Sequence, residues 1–122
     1  MGRTAEDLAA AEAARLRMVI LDRNWRTRWG ELDLVGLDGD QLVVVEVKCR
    51  STPLQELGPA LALTGAKQRR LARLAGLYLQ RRAADHGLSP TRLAVRFDVC
   101  LVVWATDKQE VTWLKDAFRL RR

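Results

Sequence analysis

The feature that most constrains the fold is a pair of apolar segments joined by a tight turn. The segments Glu31 to Leu37 and Gln41 to Cys49 flank the tripeptide Asp38-Gly39-Asp40. Two β-like runs separated by a Gly-Asp pair are typical of a β-hairpin. Apolar residues occupy both faces along most of its length, so we expect an internal hairpin covered on both sides.

Charged side chains gather at the end of this hairpin that is remote from the turn. With Gly39 and Asp40 as the turn, Asp33 faces Glu46 and Glu31 faces Lys48, so all four project from one face of the sheet. Carboxylates that face each other in a buried sheet are costly unless a cation compensates them.

Two interpretations of this cluster remain open. In the first, opposed Asp33 and Glu46 bind Mg²⁺, which takes one or two carboxylates together with waters and substrate phosphate oxygens. Lys48 would then stabilise charge on a phosphate or orient the attacking water. In the second, the residues form a structural salt-bridge cluster in which Lys48 neutralises Glu31 and Glu46.

The rest of the chain predicts two helices and three further strands. Helix formers fill Thr4 to Arg17, with Thr4 as the N-cap. Apolar residues at helical spacing, from Leu71 to Leu79, predict a second helix over Thr64 to Arg82. The predicted strands are Met18 to Arg28, Leu93 to Ala105 and a short Val111 to Leu114, and the first of them leads into an exposed aromatic segment. Ser51 to Gly58 is a predicted loop, and Ala117 and Phe118 should cap the core.

These elements predict one α/β domain over residues 1–122, with a central mixed β-sheet flanked by helices in the order α-β-β-β-α-β-β. The two cysteines, Cys49 and Cys100, lie in β-like runs and indicate neither a disulfide framework nor a zinc module. Acidic residues precede any apolar run at the N-terminus, and the stretch Val99 to Ala105 is too short to cross a bilayer. We therefore expect a soluble, cytoplasmic protein with no membrane partner.

The charge balance favours a polyanionic partner. The net charge is +6, from 21 Lys and Arg against 15 Asp and Glu, which is typical of nucleic-acid binding, although an arginine-rich composition would give the same value. The segment from Arg23 to Trp29 interleaves arginines with two tryptophans beside the acidic hairpin. Candidate nucleic-acid-binding residues are Arg23, Trp25, Arg26, Arg28, Trp29, Arg50, Lys67 and Arg70.

Each of these candidates also has a structural interpretation. Trp25 and Trp29 could instead be core residues. The arginines of the second helix, Arg69, Arg70 and Arg73, could be ordinary solvent-exposed residues on its outer face. Lys67 lies near the sheet-facing side of that helix, where it either points to the charged end of the hairpin or extends into solvent. His86 is the only histidine, so histidine-based catalysis has no support.

The charged residues also carry a resemblance to a known family. The run Gly30-Glu31-Leu32-Asp33-Leu34, followed after the hairpin turn by Val45-Glu46-Val47-Lys48, resembles the D...ExK signature of the PD-(D/E)XK nuclease superfamily. More closely, nearly the whole chain resembles the YraN-like family, which is similar to archaeal Holliday-junction resolvases. The other matching pieces are Glu6, Asn24-Trp25-Arg26, Arg50-Ser51, Gly58, Lys67, Arg70-Leu71, Ala75, Tyr78-Leu79, Arg96-Phe97-Asp98-Val99 and Ala117-Phe118.

Departures from the family pattern concentrate in the first helix. Ala5 and Arg17 stand where the family usually has glycine, and Glu12 and Ala13 replace an aromatic residue and a leucine. Cys49 replaces a threonine. None of these positions belongs to the D...ExK set, but the thin apolar stripe of the first helix leaves the direction of Glu6 open.

The resemblance implies a restriction-endonuclease-like fold and a metal-dependent endonuclease that hydrolyses nucleic-acid phosphodiester bonds. Branched junctions, flaps, single strands and RNA all stay open as substrates. It implies that Asp33 and Glu46 bind Mg²⁺ or Mn²⁺ and that Lys48 is catalytic with them. Glu6 would be a further metal-site acid, unless it is a solvated first-turn residue, and Glu31 another, unless it pairs with Lys48. The competing expectation is a non-catalytic nucleic-acid-binding module with the same fold. Cleavage of a two-fold symmetric junction would favour a homodimer.

Overall fold

The computed structural model describes residues 4–51, 63–104 and 108–119. Its elements follow the predicted order of helix, three strands, helix and two strands. They are α1 (Ala5–Arg15), β1 (Val19–Thr27), β2 (Gly30–Asp38), β3 (Gln41–Arg50), α2 (Gly65–Arg82), β4 (Ala94–Trp104) and β5 (Gln109–Phe118), with single 3₁₀ turns at Ala84–His86 and Pro90–Arg92 between α2 and β4.

The five strands form one mixed sheet in the order β1-β2-β3-β4-β5. Strands β3 and β4 pair in parallel, and the other neighbouring strands are antiparallel. The mixed central sheet predicted from the sequence is therefore confirmed, with β3 at its centre. The predicted loop from Ser51 to Gly58 falls, apart from Ser51, outside the described residues.

A helix covers each face of the sheet. On one face, α2 packs Leu71, Leu74 and Tyr78 against side chains of β2, β3 and β4; on the other, α1 packs Ala9 and Ala13 against the same strands. Burial of this apolar area on both faces is the main force that holds helices to the sheet. The predicted internal hairpin is thus confirmed, because its two faces belong to two separate hydrophobic clusters.

Local sequence signals explain where the helices begin and end. Thr4 caps α1 through a reciprocal pair of bonds: its Oγ1 accepts from Asp7 N–H at 3.1 Å, and Asp7 Oδ2 accepts from Thr4 N–H at 3.1 Å. The helix ends two residues before the predicted Arg17, because Arg17 adopts a left-handed φ of 65°. That conformation favours glycine, which is the residue that the family usually has there.

For the two edge strands of the sheet, the prediction is confirmed for β1 and wrong for the length of the last strand. Strand β1 lies within the predicted Met18 to Arg28, so Trp25 and Arg26 belong to it as expected, and the exposed Trp29 follows it. The last strand extends over Gln109–Phe118 rather than four residues, because a bulge near Asp116, whose φ is 56°, lets the pairing continue to Phe118. Phe118 does cap the core, stacked on Phe97 with ring centroids 4.5 Å apart.

Among the described segments, no helix has the length and apolar character needed to span a membrane. Cys49 is exposed and Cys100 is buried, and both thiols are free, as expected from their positions in separate strands.

Candidate metal centre

The hairpin register is as predicted near the turn and changes toward the charged end. Pairing between β2 and β3 runs from Asp38–Gln41 to Leu34–Val45. It ends there, one step before the expected pair of Asp33 and Glu46. The alternation of faces also breaks, since Leu32 packs in the α2-side cluster whereas Leu34 packs in the α1-side cluster. Regular strand alternation predicts that Leu32 and Leu34 share one apolar face, and this prediction is wrong.

Strand β1 changes face at the same place. Asn24 adopts a left-handed φ of 51°, and the flanking pairs Arg23–Leu34 and Trp25–Leu32 keep their spacing. Arg23 consequently contacts α1, whereas Trp25 packs on α2. Strand β2 follows this change of face and separates from β3, so that Asp33 stands at the opening between them.

Asp33 fills the opening with its own carboxylate. Its Oδ2 accepts a 2.8 Å hydrogen bond from the backbone N–H of Val47, a donor that a regular ladder would satisfy with a carbonyl group. Burial raises the pKa of Asp33 to about 6; the Val47 hydrogen bond opposes this increase, and the negative charges of Glu46, Glu31 and Glu6 add to it. A nearby cation would favour the charged form of this carboxylate.

Glu46 lies beside it on β3 and pairs with Lys67. Lys67 Nζ is 2.6 Å from Glu46 Oε1, and the Glu46 side chain is only 13% exposed. The backbone of this lysine is fixed at the start of α2, where Thr64 Oγ1 accepts from Lys67 N–H in the first turn. Of the two orientations open for Lys67, the structure shows the one that points to the charged end of the hairpin.

Lys48 follows Glu46 by two residues and so projects from the same face of β3. Burial lowers the pKa of Lys48, as do the positive charges of Lys67 and Arg50, while Glu46 opposes the shift. The residues that perturb it are therefore those of the charged cluster. Asp33, Glu46, Lys48 and Lys67 together form what we call the hairpin-end site.

The two further candidate acids, Glu31 and Glu6, occupy the periphery of this site. Glu31 does not face Lys48 as expected; its Oε2 pairs with Arg26 Nε at 3.0 Å on the exposed surface, because β2 has already separated from β3. Glu6 lies in the first turn of α1, and its effect on the site is the influence of its charge on Asp33.

The hairpin-end site contains two carboxylates that could bind a metal, those of Asp33 and Glu46. Across residues 4–51, 63–104 and 108–119, no three carboxylate, imidazole or thiol groups converge as metal ligands. Asp33 and Glu46 nevertheless provide the hard oxygen donors that Mg²⁺ and Mn²⁺ prefer, and Mg²⁺ sites commonly use one or two carboxylates. The donor set therefore fits such an ion, with water and phosphate oxygens as its remaining ligands.

The structure separates the nucleic-acid candidates into two groups. Three make contacts within the fold: Arg23 pairs with Asp7 at 2.6 Å, Trp25 packs edge-on against Tyr78 with centroids 5.2 Å apart, and Arg26 pairs with Glu31. The core alternative considered for Trp25 is thus the observed one. The exposed remainder comprises Arg28, Trp29, Arg50 and Arg70, with Lys67 at the edge of the hairpin-end site.

Sequence reasoning missed a second charged network, which lies near the hairpin turn. The buried pair Arg96 and Asp98 is linked by two 3.0 Å contacts, and Arg96 also reaches Asp38 at 2.7 Å. Asp98 further accepts from Trp113 Nε1 and the backbone N–H of Asp116. Opposite charges two residues apart within an apolar strand were the available signal, since they must share a face and neutralise each other.

A third polar cluster joins β1 to the end of α2. Tyr78 donates a 2.7 Å hydrogen bond from its hydroxyl to Asp22 Oδ2, and Arg82 and His86 contact the same carboxylate at 3.3 Å. Although partial burial opposes it, these hydrogen bonds hold the pKa of Asp22 below its usual range. The tyrosine is fully buried, so the cluster serves to anchor α2 to the sheet.

Comparison with known proteins identifies relatives along most of the chain. The family model described as Uncharacterised protein family UPF0102 matches residues 5–102. A UPF0102 protein of Rhodococcus jostii is 43% identical over 119 residues, covering 97% of this chain and 95% of the relative. A UPF0102 protein of Geobacter sulfurreducens is 40% identical over 121 residues, covering 98% and 89%, and one of Frankia casuarinae is 47% identical over 102 residues, covering 84% and 80%.

Proposed function

The chain belongs to the UPF0102 family, the YraN-like family, and we propose that it is a metal-dependent endonuclease of the restriction-endonuclease-like, PD-(D/E)XK type. The observation that carries the proposal is the hairpin-end site itself. Asp33, Glu46 and Lys48 keep the order and spacing of the D...ExK signature, and they lie where β2 separates from β3. The opening leaves the Asp33 carboxylate next to Glu46 instead of within a closed ladder.

In the proposed reaction, Asp33 and Glu46 hold the ion. A bound Mg²⁺ or Mn²⁺ would supply Lewis-acid stabilisation of the phosphate and a more acidic water. The Val47 N–H keeps the Asp33 carboxylate oriented through its 2.8 Å hydrogen bond. Lys48, on the same face as Glu46, contributes positive charge beside the scissile phosphate or positions the attacking water.

Lys67 adds a second cation at the same place. Its Nζ lies 2.6 Å from Glu46 Oε1 and neutralises that carboxylate. If a divalent ion binds Glu46, Lys67 becomes available to contact a phosphate oxygen next to the site. The exposed Arg50 and Arg70 lie on neighbouring elements and extend this positive surface, and the net charge of +6 agrees with a polyanionic substrate.

The proposed substrate is DNA and the proposed setting is the cytoplasm. The likeness of the D...ExK hairpin to archaeal Holliday-junction resolvases supports a branched substrate. Cleavage of a symmetric junction would require a homodimer, since two active sites must face two equivalent strands.

One observation favours a second candidate function. The Glu46–Lys67 pair satisfies the Glu46 carboxylate with no metal, as expected if the charged cluster were structural. The chain would then be a non-catalytic nucleic-acid-binding module with the same fold.

A cleavage assay distinguishes the two. Labelled duplex, single-stranded, flapped and four-way-junction DNA are incubated with Mg²⁺ or Mn²⁺ and the wild-type protein, or with Asp33→Asn, Glu46→Gln or Lys48→Met. Glu110→Gln is the matched control, because Glu110 is an exposed β5 carboxylate paired with Lys108. The nuclease proposal expects metal-dependent cleavage that falls at least roughly 100-fold in the three site variants but not in the control. Binding without cleavage by the wild type would instead support the module.

A further inference from the structure

We propose that Trp29, flanked by Arg28 and Arg81, is a stacking site for an unpaired base. The site also indicates the substrate class of the nuclease proposed above: nucleic acid with a single-stranded segment next to the cleavage position. This second part rests on the proposed function. The stacking site itself is argued from the β1–β2 turn and the outer face of α2.

The β1–β2 turn presents Trp29 to solvent in a fixed conformation. Trp29 is 43% exposed, which is unusual for a tryptophan, whereas Trp25 in the same segment packs against Tyr78. Thr27 Oγ1 accepts from the Trp29 N–H at 3.0 Å and donates to the Gly30 carbonyl at 3.0 Å. The backbone that carries the exposed ring is therefore fixed, which lowers the cost of ordering the turn when a ligand binds.

Two guanidinium groups accompany the ring. Arg28 Cζ lies 4.6 Å, and Arg81 Cζ 5.5 Å, from the centroid of the Trp29 ring. In the part of the chain that the structure describes, neither guanidinium forms an ion pair with a carboxylate. An exposed aromatic ring with unneutralised arginines beside it is the combination that binds single-stranded nucleic acid, since the ring stacks on a base and the cations contact the phosphates.

The position of Trp29 connects it to the hairpin-end site along α2. Gly30, its neighbour, packs beside Leu74 and Arg70. Lys67, at the start of the same helix, contacts Glu46, and Arg81, near its end, contacts Trp29. Since a helix rises 1.5 Å per residue, the backbones of Lys67 and Arg81 are about 20 Å apart along the axis, a distance that a strand of a few nucleotides spans, with exposed Arg70 between them.

The geometry favours an unpaired base over a duplex. Within a duplex both faces of a base are covered by its neighbours, and an indole has access to a base face only where the strand is unpaired or unstacked. Phosphate contacts from Arg70 and Lys67 would be available to either form. Trp29 therefore discriminates between the two forms, and the lysine and arginines of α2 do not.

The test measures binding without metal, so that it does not depend on cleavage. Fluorescence anisotropy in EDTA gives the affinity for a labelled oligothymidylate, an oligouridylate and a duplex of equal length. Wild type is compared with Trp29→Ala, Trp29→Phe and Arg81→Ala. Leu114→Ala, which truncates an exposed apolar residue on β5, is the matched control, and circular dichroism verifies that each variant is folded.

We expect Trp29→Ala to weaken binding of one or both single strands by roughly 5- to 100-fold, as is typical when a base-stacking aromatic residue is removed. Duplex affinity should change less than about twofold, Trp29→Phe should retain most of the affinity, and Leu114→Ala should behave as wild type. Equal losses on single strands and duplex, or an unchanged single-strand affinity, would overturn the proposal. The two proposals are tested separately, because binding in EDTA tests the stacking site and loss of cleavage in Glu46→Gln tests the nuclease.

Discussion

The backbone N–H of Val47 donates a 2.8 Å hydrogen bond to Oδ2 of Asp33 at the point where β2 leaves β3. A side chain thus replaces the neighbouring strand as the acceptor. The same arrangement holds the carboxylate in a partly buried opening, where burial and nearby acids raise its pKa to about 6. The charged form of Asp33 is consequently disfavoured in the folded protein.

This relationship predicts that Asp33→Asn stabilises the metal-free protein at alkaline pH. An acid whose pKa rises on folding, here from 3.8 to about 6, binds more protons in the folded state, so stability falls as pH rises through that window. At pH above about 7 the variant should be more stable than wild type by about 1–2 kcal/mol, after allowance for partial exposure. Near pH 4 the difference should disappear.

Urea unfolding in EDTA at both pH values measures this difference. Asp40→Asn, which removes an exposed carboxylate at the turn of the same hairpin, should change stability by less than about 0.5 kcal/mol at either pH. Destabilisation by Asp33→Asn at alkaline pH would mean that the Val47 hydrogen bond outweighs the burial of charge.

The Glu46–Lys67 pair predicts competition between lysine and metal. Because Lys67 Nζ lies 2.6 Å from Glu46 Oε1, a divalent ion must displace or share that contact. Lys67→Met should therefore lower the Kd for Mn²⁺ by roughly 3- to 10-fold, while it destabilises the metal-free protein by leaving a partly buried carboxylate without its cation.

Calorimetric titration with Mn²⁺ measures the affinity. Arg70→Met removes an equal charge one turn along α2 without touching the Glu46 contact, so its effect should be smaller. If Lys67→Met and Arg70→Met shift the Kd equally, the effect is one of general charge and Lys67 does not compete for Glu46.

The Arg96–Asp98 network predicts a large loss of stability when Asp98 is removed. Its side chain is inaccessible and accepts from Arg96, Trp113 Nε1 and the Asp116 N–H. Asp98→Ala leaves the Arg96 charge buried with one fewer partner, so the free energy of unfolding should fall by about 3–5 kcal/mol.

Guanidinium unfolding at neutral pH tests this expectation. Asp85→Ala, which breaks the exposed ion pair with Arg82, is the comparison and should cost less than about 1 kcal/mol. A loss of similar size in both variants would show that the buried network contributes no more than a surface pair.

The part of this site that sequence could predict is the part that local geometry controls. A two-residue turn at Gly39 and Asp40 sets the register of the pairs that follow it, and the observed pairing agrees as far as Leu34–Val45. Beyond that point the pairing ends, and the change of face coincides with Asn24, whose left-handed φ lies in another strand. Pattern reasoning along β2 and β3 contains no information about it.

The electrostatic partners required tertiary placement for the same reason. Lys48 was the cation expected beside the acids, but Lys67, which α2 brings in from the far side of the crossover, makes the 2.6 Å contact with Glu46. Helical periodicity placed Lys67 on the sheet-facing side without specifying its distance from any strand. Likewise, alternation could not reveal that β5 continues past the bulge at Asp116.

Two glycines predict substitutions of opposite sign. Gly30 has a φ of +140°, which side-chain-bearing residues rarely adopt, and a Cβ there would lie 3.2 Å from Leu74 Cδ1. Gly76, in the interior of α2, has no atom within 4 Å of the equivalent position. Gly30→Ala should therefore destabilise the protein by about 1–3 kcal/mol, whereas Gly76→Ala should stabilise it by about 0.5–1 kcal/mol through helix propensity.

Thermal and chemical unfolding of the two single variants supplies the measurement, with each glycine serving as the control for the other. Strain at Gly30 should also disturb the turn that holds Trp29, so Gly30→Ala should reduce the single-strand affinity and Gly76→Ala should not. If Gly30→Ala were neutral in stability, the left-handed conformation of the β1–β2 turn would be incorrect, and the fixed presentation of Trp29 would lose its structural basis.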